Sequence, residues 1–354
     1  MNFIIAPNGN HKSDYPQFPL NLNNNQSGMK SVMRSLLLIC LLMLAYFPSY
    51  CWGFYAHQKI NYYAVFLLPP EMMVLYKPNI NFIAEHAIDP DKRRYAVADE
   101  GPRHYIDIDK YGEYPYPSLP RKWTEAVAKF SEDTIKSHGI VPWHVQIMLS
   151  RLTNAFKEKN FSRIMKNSTE LGHYIADAHV PLHASSNHNG QLTNQKGIHG
   201  FWESRVPELL AAKEYDFFIG KAEYIDDPGK FIWDRVLESA KAADSVLTFE
   251  RDLSKEFSDD KKYSFEERNG KVIRQYSSAF SIAFSKKLNG MIERRMRQSI
   301  SCIASFWYTA WVNAGQPDLK SLSNQQFSEK ELKEFDDLNQ SWKSSEKMIG
   351  RQEE

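Results

Sequence analysis

The sequence has little cysteine and no excess of charge of either sign. Only three of its 354 residues are Cys, and 44 Lys and Arg residues balance 43 Asp and Glu residues. Cys40 and Cys51 lie in a segment that we expect to be removed, so only Cys302 would remain and no internal disulfide could form. The net charge of +1 gives no sign of a broadly basic surface for nucleic acid.

Several catalytic motifs are absent as well. The chain contains no HExxH motif of zinc proteases, no His-Asp dipeptide of the HD-type phosphohydrolases and no glycine-rich phosphate loop. Bound metal could supply the crosslinks that disulfides do not.

The N-terminal region has the layout of a secretory signal peptide. Residues 29–51 begin with Met and two basic residues, continue with an apolar stretch and end with small residues at the −3 and −1 positions. The apolar stretch is short for a membrane span, although an uncleaved anchor is the alternative. We therefore expect export, to the periplasm or the outside, with cleavage between Cys51 and Trp52. Residues 1–28 form a polar extension, and Met29 is a candidate for the true start.

Apolar residues recur mostly at helical spacing after position 52, and long alternating runs are scarce. The pattern predicts one all-α, multi-helix domain over residues 52–320. It includes a helix over 70–87 that bends at Pro78, and a long helix over 280–314. Residues 321–354 read as a charged tail that is either a loosely packed helix or disordered.

The densest chemical signal lies in GHYIADAHVPLHASSNHNGQLTNQKGIHGFWES. His173 and Asp177 are four residues apart, and so are His199 and Glu203, so each pair shares one face of a helix. His183 follows the proline that ends the first of these helices. Imidazole and carboxylate groups presented in this way suit Zn²⁺. A second stretch, EHAIDPDKRRYAVADEGPRHYIDID, contains Asp89 and His104 and is a weak signal alone.

Together these residues resemble the zinc-dependent phospholipase C / S1–P1 nuclease superfamily. Its motif order is an N-terminal Trp, His, Asp, His, then H-x3-D-x5-H, a loop, and H-x3-[DE]. In this sequence the nine positions are filled in order by Trp52, His57, Asp89, His104, His173, Asp177, His183, His199 and Glu203.

The resemblance implies a mostly helical fold with three zinc ions in a cleft. The first zinc would be bound by Asp89, His104, His173 and Asp177. The second would be bound by His183, His199 and Glu203. The third would be bound by His57, by Asp177 as a bridge, and by the α-amino nitrogen and carbonyl of Trp52. Cleavage before Trp52 would be needed, because an α-amino group, unlike an amide, readily gives up its proton to a metal.

The resemblance also implies hydrolysis of a phosphate ester by a metal-activated water, with Asp177 and Asp89 as the catalytic carboxylates. Asp89 would help to orient or deprotonate the water. Asp91 lies close to Asp89 in the chain and is an alternative to it, and His86 could compete as a ligand.

Two substrates remain open. Glu203 in place of Asp and the short loop from His183 to His199 favour a phospholipase C that releases diacylglycerol and a phosphorylated head group. The short spacing from Trp52 to His57 favours an S1/P1-type nuclease acting on single-stranded DNA or RNA and on 3′-nucleotides. A third alternative is a zinc-stabilised binding protein without turnover. No protein partner is implied, and we expect a monomer.

Overall fold

The computed structural model describes residues 54–268, 270–345, 348–349 and 351. The predicted polar extension, the signal peptide and Trp52 lie outside the described residues. The described chain is mostly helical, which confirms the all-α class predicted from the periodicity.

Among the described residues, eight α-helices precede the loop between His183 and His199. They are α1 (Phe54–Ala64), α2 (Pro70–Tyr76), α3 (Ile80–Glu85), α4 (Asp89–Arg93), α5 (Trp123–Phe130), α6 (Glu132–Ser137), α7 (Val141–Lys157) and α8 (Phe161–Ala178). Short 3₁₀ turns connect or extend them at Val65–Leu67, His86–Ile88, Gly101–Arg103, Ile108–Tyr111 and Pro181–Ala184.

The α-helices that follow this loop are α9 (Ile198–Gly200), α10 (Val206–Glu214), α11 (Pro228–Ser254), α12 (Asp259–Lys262), α13 (Ser278–Lys287), α14 (Met291–Asn313) and α15 (Glu329–Ser344). A π-helical turn, Phe201–Arg205, joins α9 to α10, and a 3₁₀ turn spans Lys320–Leu322.

Two predicted helices are each divided in the structure. The long helix over 280–314 breaks between α13 and α14, because Asn289 and Gly290 adopt positive φ angles of 47° and 72° that an α-helix cannot contain. The helix predicted to bend at Pro78 is instead the separate helices α2 and α3.

A β-hairpin interrupts the helical pattern and was not predicted. Strands β1 (Tyr263–Arg268) and β2 (Lys271–Tyr276) are antiparallel, with Tyr263 opposite Tyr276. The intervening Asn-Gly dipeptide is a common hairpin signal. Because Phe265 and Val272 remain 74% and 71% exposed, the hairpin is a surface feature.

Helix α14 forms part of the core against α2 and α8. Its Trp307 is fully buried, and its ring centroid lies 5.2 Å from that of Tyr76. The indole Nε1 donates to the carbonyl of Ser168 at 3.0 Å, and Tyr76 shares a hydrogen bond with the Ser168 hydroxyl at 2.7 Å. Trp307 and Tyr76 are therefore buried with their polar atoms satisfied.

A glycine brings α1 and α8 into close contact. A Cβ atom on Gly172 of α8 would lie 2.0 Å from Oδ1 of the buried Asn61 on α1. Asn61 donates its side-chain amide to the carbonyl of His57 at 3.0 Å. The absence of a side chain at Gly172 thus lets α1 approach α8 beside the predicted ligands His57 and His173.

All described residues belong to one compact unit. Within the predicted tail, α15 is a helix whose Trp342 is buried, so the helical alternative for that region is the one observed. Among the described helices, we find none with the length and apolar character to cross a bilayer.

Candidate metal centre

Helix α8 places two of the predicted ligands at the centre of the molecule. His173 and Asp177 lie one helical turn apart and are almost fully buried, with His173 Nε2 3.2 Å from Asp177 Oδ2. His57 of α1 stacks on His173 with ring centroids 4.0 Å apart, and its Nε2 lies 3.4 Å from Asp177 Oδ1. His57, His173 and Asp177 form a first group that could hold a metal ion.

A second group joins α8 to the loop that follows α4. His104 Nδ1 lies 3.0 Å from His173 Nε2 and 3.0 Å from Asp177 Oδ2. Asp91 Oδ1 lies 3.6 Å from each of these two ring nitrogens. Asp91, His104 and His173 form a second group that could hold a metal ion. His173 belongs to both groups, and because its Nδ1 donates to the carbonyl of Ala87 at 2.8 Å, its Nε2 can bind an ion of only one of them at a time.

The two oxygens of Asp177 face different imidazoles. Oδ2 is near His104 and His173, whereas Oδ1 is near His57 at 3.4 Å and near Nδ1 of His183 at 3.5 Å. One carboxylate thus lies between separate groups of nitrogen donors, which is the arrangement that a bridging ligand needs.

A third group forms where the chain continues beyond α8. The 3₁₀ turn after Pro181 presents His183, and the short α9 with its π turn presents His199 and Glu203. His199 Nε2 lies 3.0 Å from Glu203 Oε1, and His183 Nε2 lies 3.3 Å from Glu203 Oε2. The three residues are buried and could hold an ion. A π turn within a helix is itself often a feature of functional sites.

Backbone carbonyls determine which ring nitrogens of the third group face inward. Nδ1 of His183 donates to the carbonyl of His104 at 2.7 Å, and Nδ1 of His199 donates to that of His188 at 3.3 Å. In the neutral rings the lone pairs are therefore on the Nε2 atoms, which face each other at 3.1 Å. Two lone pairs at this distance repel, and a cation between them, bound also by Glu203, would remove the repulsion. The donor set therefore fits a metal ion.

The predicted ligand Asp89 lies in none of the three groups found among the described residues. Its carboxylate is paired with Nδ1 of His86 at 2.6 Å and with Nζ of Lys92 at 2.9 Å. Asp91 occupies the place expected for Asp89. The two positions are about 200° apart around α4, so only one of them can face His104.

Of the other predicted ligands, Trp52 lies outside the described residues. The structure brings the remaining seven together, namely His57, His104, His173, Asp177, His183, His199 and Glu203.

A buried carboxylate that the sequence pattern did not reveal supports His104. Glu100 is fully buried, and its Oε1 lies 3.5 Å from His104 Nε2 and accepts a hydrogen bond from the Tyr174 hydroxyl. Arg93 and Arg103 pair with its other oxygen. Burial acts to raise the pKa of Glu100, but His104 and Arg93 lower it well below the usual range. A carboxylate behind a ligand imidazole orients the ring and increases its basicity.

The carboxylates of the centre favour positive charge among the imidazoles. Burial acts to lower the pKa of His173, yet Asp177 and Asp91 raise it to about 9. Burial opposes ionisation of Asp177 in turn, but His173 and His183 hold its pKa well below the usual value. The carboxylates that favour a proton on His173 would likewise favour a bound cation.

An apolar cavity lies beside the centre. His57 and Glu203 line it together with apolar side chains from α1, the π turn and α14, namely Ile60, Trp202, Ile292 and Met296. Arg295, His179 and Ser299 line it as well, and its volume of about 30 Å³ has room for little more than a water molecule.

Comparison with known proteins adds no relatives, since no family model matches the chain and no curated protein matches it significantly.

Proposed function

We propose that this chain is an exported, zinc-dependent hydrolase of phosphate esters with three metal ions. The main support is the position of Asp177, whose two oxygens face different groups of buried imidazoles. A purely structural zinc site needs a single closed set of four ligands. Neighbouring groups of imidazoles on either side of one carboxylate would instead suit a multinuclear site of the kind that acts on phosphate esters.

Burial distinguishes the side chains that would bind metal ions from the carboxylate that would contact the attacking water. His104, His173 and Asp177 are at most 2% exposed at their side chains and would hold metal ions, which would supply Lewis acidity and lower the pKa of water. The Asp91 side chain is 19% exposed. Its carboxylate would therefore orient a water and accept its proton, the role that the resemblance implies for Asp89.

Two features of the sequence favour a phospholipid over a nucleic acid. They are Glu203 in place of Asp and the short loop from His183 to His199. We therefore propose a phospholipase C of the zinc-dependent phospholipase C / S1–P1 nuclease superfamily, with the nuclease as the alternative outcome.

A substrate panel tests the proposal. The purified processed protein, loaded with zinc, would be assayed on phosphatidylcholine vesicles, single-stranded DNA, RNA and a 3′-nucleotide. We expect release of a phosphorylated head group and about three zinc ions per chain by elemental analysis. Asp177→Asn should lose at least one zinc and reduce kcat by several orders of magnitude, because it removes the shared ligand.

Each result separates the alternatives. Cleavage of the nucleic acids alone would establish the nuclease. Full zinc loading with no turnover of any substrate would favour the binding protein. An active Asp177→Asn variant with full zinc content would refute the bridging role.

A further inference from the structure

Described residues that follow α15 contact the segment between α4 and His104. We call the described residues from Ser345 to Arg351 the strap. The amide of Ile349 donates to the carbonyl of Arg94 at 2.8 Å, and the guanidinium of Arg94 donates to the carbonyl of Arg351 at 2.7 Å. This pair of hydrogen bonds joins the strap to the loop in both directions.

Helix α15 anchors the strap on the elements that carry His57 and Asp91. Its Trp342 is 5% exposed, and its ring lies 5.3 Å from that of Phe54 on α1. The ammonium group of Lys92 on α4 lies 5.9 Å from the same ring. The strap therefore starts from a fixed position beside α1 and α4.

Arg351 joins two separate segments of the chain. Its guanidinium pairs with the carboxylate of Asp107, donates to the carbonyl of Leu182 at 3.4 Å and lies 3.9 Å from the centre of the Tyr105 ring. The Arg351 side chain is only 9% exposed. A planar, multiply bonded and largely buried guanidinium holds its partners in a fixed geometry.

The two segments are those that present His104 and His183. Tyr105 follows His104 in the chain, and Leu182 precedes His183. The segments already exchange hydrogen bonds, from the amide of Ile106 to the carbonyl of His183 at 2.9 Å and from Nδ1 of His183 to the carbonyl of His104 at 2.7 Å. Arg351 adds a link from outside this pair.

We propose that the strap positions the ligand segments of the metal centre and that Arg351 is its positioning residue. The inference rests on the proposed metal centre, because it concerns ligands of two different groups. Contacts behind metal ligands commonly change metal affinity by 10–100-fold when they are removed. Ligands displaced by about 0.5 Å lose productive geometry.

Metal binding by the full chain tests the proposal. Arg351→Met retains the aliphatic stem and removes the guanidinium, Arg351→Lys retains the charge, and Asp107→Asn removes the partner. Arg163→Met is the control, because it removes the same guanidinium group from an ion pair away from the ligand segments. Arg163 lies in the first turn of α8, ten residues before His173, and pairs with Glu158. Zinc affinity would be measured by chelator competition, and ligand geometry from the visible spectrum of the Co²⁺-loaded protein.

We expect Arg351→Met to weaken binding of at least one zinc about tenfold or more and to shift the Co²⁺ bands. Asp107→Asn should have a similar effect, and the double variant should add little to either change. Arg351→Lys should fall between wild type and Arg351→Met. A general loss of packing would lower the melting temperature of the metal-free protein without altering the Co²⁺ spectrum of the folded fraction.

Wild-type zinc affinity and an unchanged Co²⁺ spectrum in both Arg351→Met and Asp107→Asn would overturn the role of the strap. That result is distinct from failure of the proposed function. A wild-type protein that loads zinc but hydrolyses no substrate would refute the hydrolase, and the strap would still be judged by the affinities. A wild-type protein that binds no metal would refute both.

Discussion

At the scale of the residue, Asp91 and Asp89 differ in the partners that their carboxylates face. Asp91 faces His104 and His173, whereas Asp89 is paired with His86 and Lys92. We expect Asp91→Asn to lower the zinc content per chain and to reduce activity at least tenfold. Asp89→Asn should retain zinc and cost about 1–3 kcal/mol of unfolding free energy, because it leaves Lys92 without its buried partner. Elemental analysis and urea denaturation of the two variants provide the comparison, and the opposite pattern would restore Asp89 as the ligand.

The proton on His173 should make metal uptake depend on pH. With a pKa of about 9, His173 is protonated at pH 7 in the metal-free protein, whereas a metal ligand must be neutral. Zinc binding should therefore release a proton at neutral pH, and zinc affinity should rise with pH up to about 9. Calorimetry in two buffers of different ionisation enthalpy measures the released protons, and equal heats in both would contradict the prediction.

His144 should make the metal-free protein less stable in acid. Burial, and then the charge of Arg103, lower its pKa to about 3, and its ring packs edge-on against Tyr174 at 4.5 Å. In the unfolded chain the pKa is about 6.5, so the unfolded state gains protons first as the pH falls. Unfolding free energy should therefore fall between about pH 6.5 and pH 3, by up to about 4 kcal/mol from this residue.

Urea denaturation of the metal-free protein across this pH range measures the effect. In His144→Phe the fall should be smaller than in wild type. Equal pH dependence in the two proteins would show that His144 does not contribute.

At the scale of the element, the contact between α1 and α8 controls where His57 lies. Gly172→Ala would place a methyl group 2.0 Å from Asn61 Oδ1, so the helices must separate at a cost of about 1–3 kcal/mol. We expect loss of the metal held by His57 and His173 together with a lower melting temperature. Elemental analysis measures the metal content, and calorimetry measures the melting temperature.

Two variants control this prediction. Gly200→Ala adds a methyl group to a helical glycine with open space around it and should be neutral. Gly172→Ala combined with Asn61→Ala should recover part of the lost metal. A Gly172→Ala protein with normal metal content would show that α1 can shift without moving His57.

Local spacing explains which parts of the site could be predicted. His173 with Asp177, and His199 with Glu203, share helix faces four residues apart, and that relation is visible in the sequence. Whether Asp89 or Asp91 faces the candidate metal centre depends on the rotation of α4 about its axis, which the sequence does not show. The i,i+3 spacing of His86, Asp89 and Lys92 was nevertheless a signal that Asp89 pairs locally. Glu100 lies four residues before His104, so this spacing was a local signal for it. Arg351 reaches the site only through tertiary contacts, so no periodicity could indicate it.

The fold, like the site, could be predicted where local sequence patterns determine it. Amphipathic periodicity located most helices, but the break at Gly290 lies inside an otherwise continuous helical pattern. The hairpin lies in a polar stretch, where the Asn-Gly dipeptide at its turn was the local signal that could have predicted it.

At the scale of the whole molecule, the position of the first residue remains the most exacting prediction. We expect the exported protein to begin at Trp52 and to bind about three zinc ions. A form with one extra residue before Trp52 should bind one zinc fewer, because its nitrogen at position 52 is an amide. N-terminal sequencing identifies the first residue of each form, and elemental analysis measures its zinc content. Equal zinc content in the two forms would refute a ligand at Trp52.

The ligand pairs at helical spacing have a further consequence for the order of folding. A single turn of nascent helix, which forms within about a microsecond, brings His173 to Asp177 or His199 to Glu203. His104 is separated from His173 by 69 residues and can reach it only after a long loop closes. Metal present at the earliest stage therefore meets two local chelates first and can recruit wrong imidazoles to them. Refolding in a chelator, with zinc added once the chain is compact, should give more active protein than refolding in zinc.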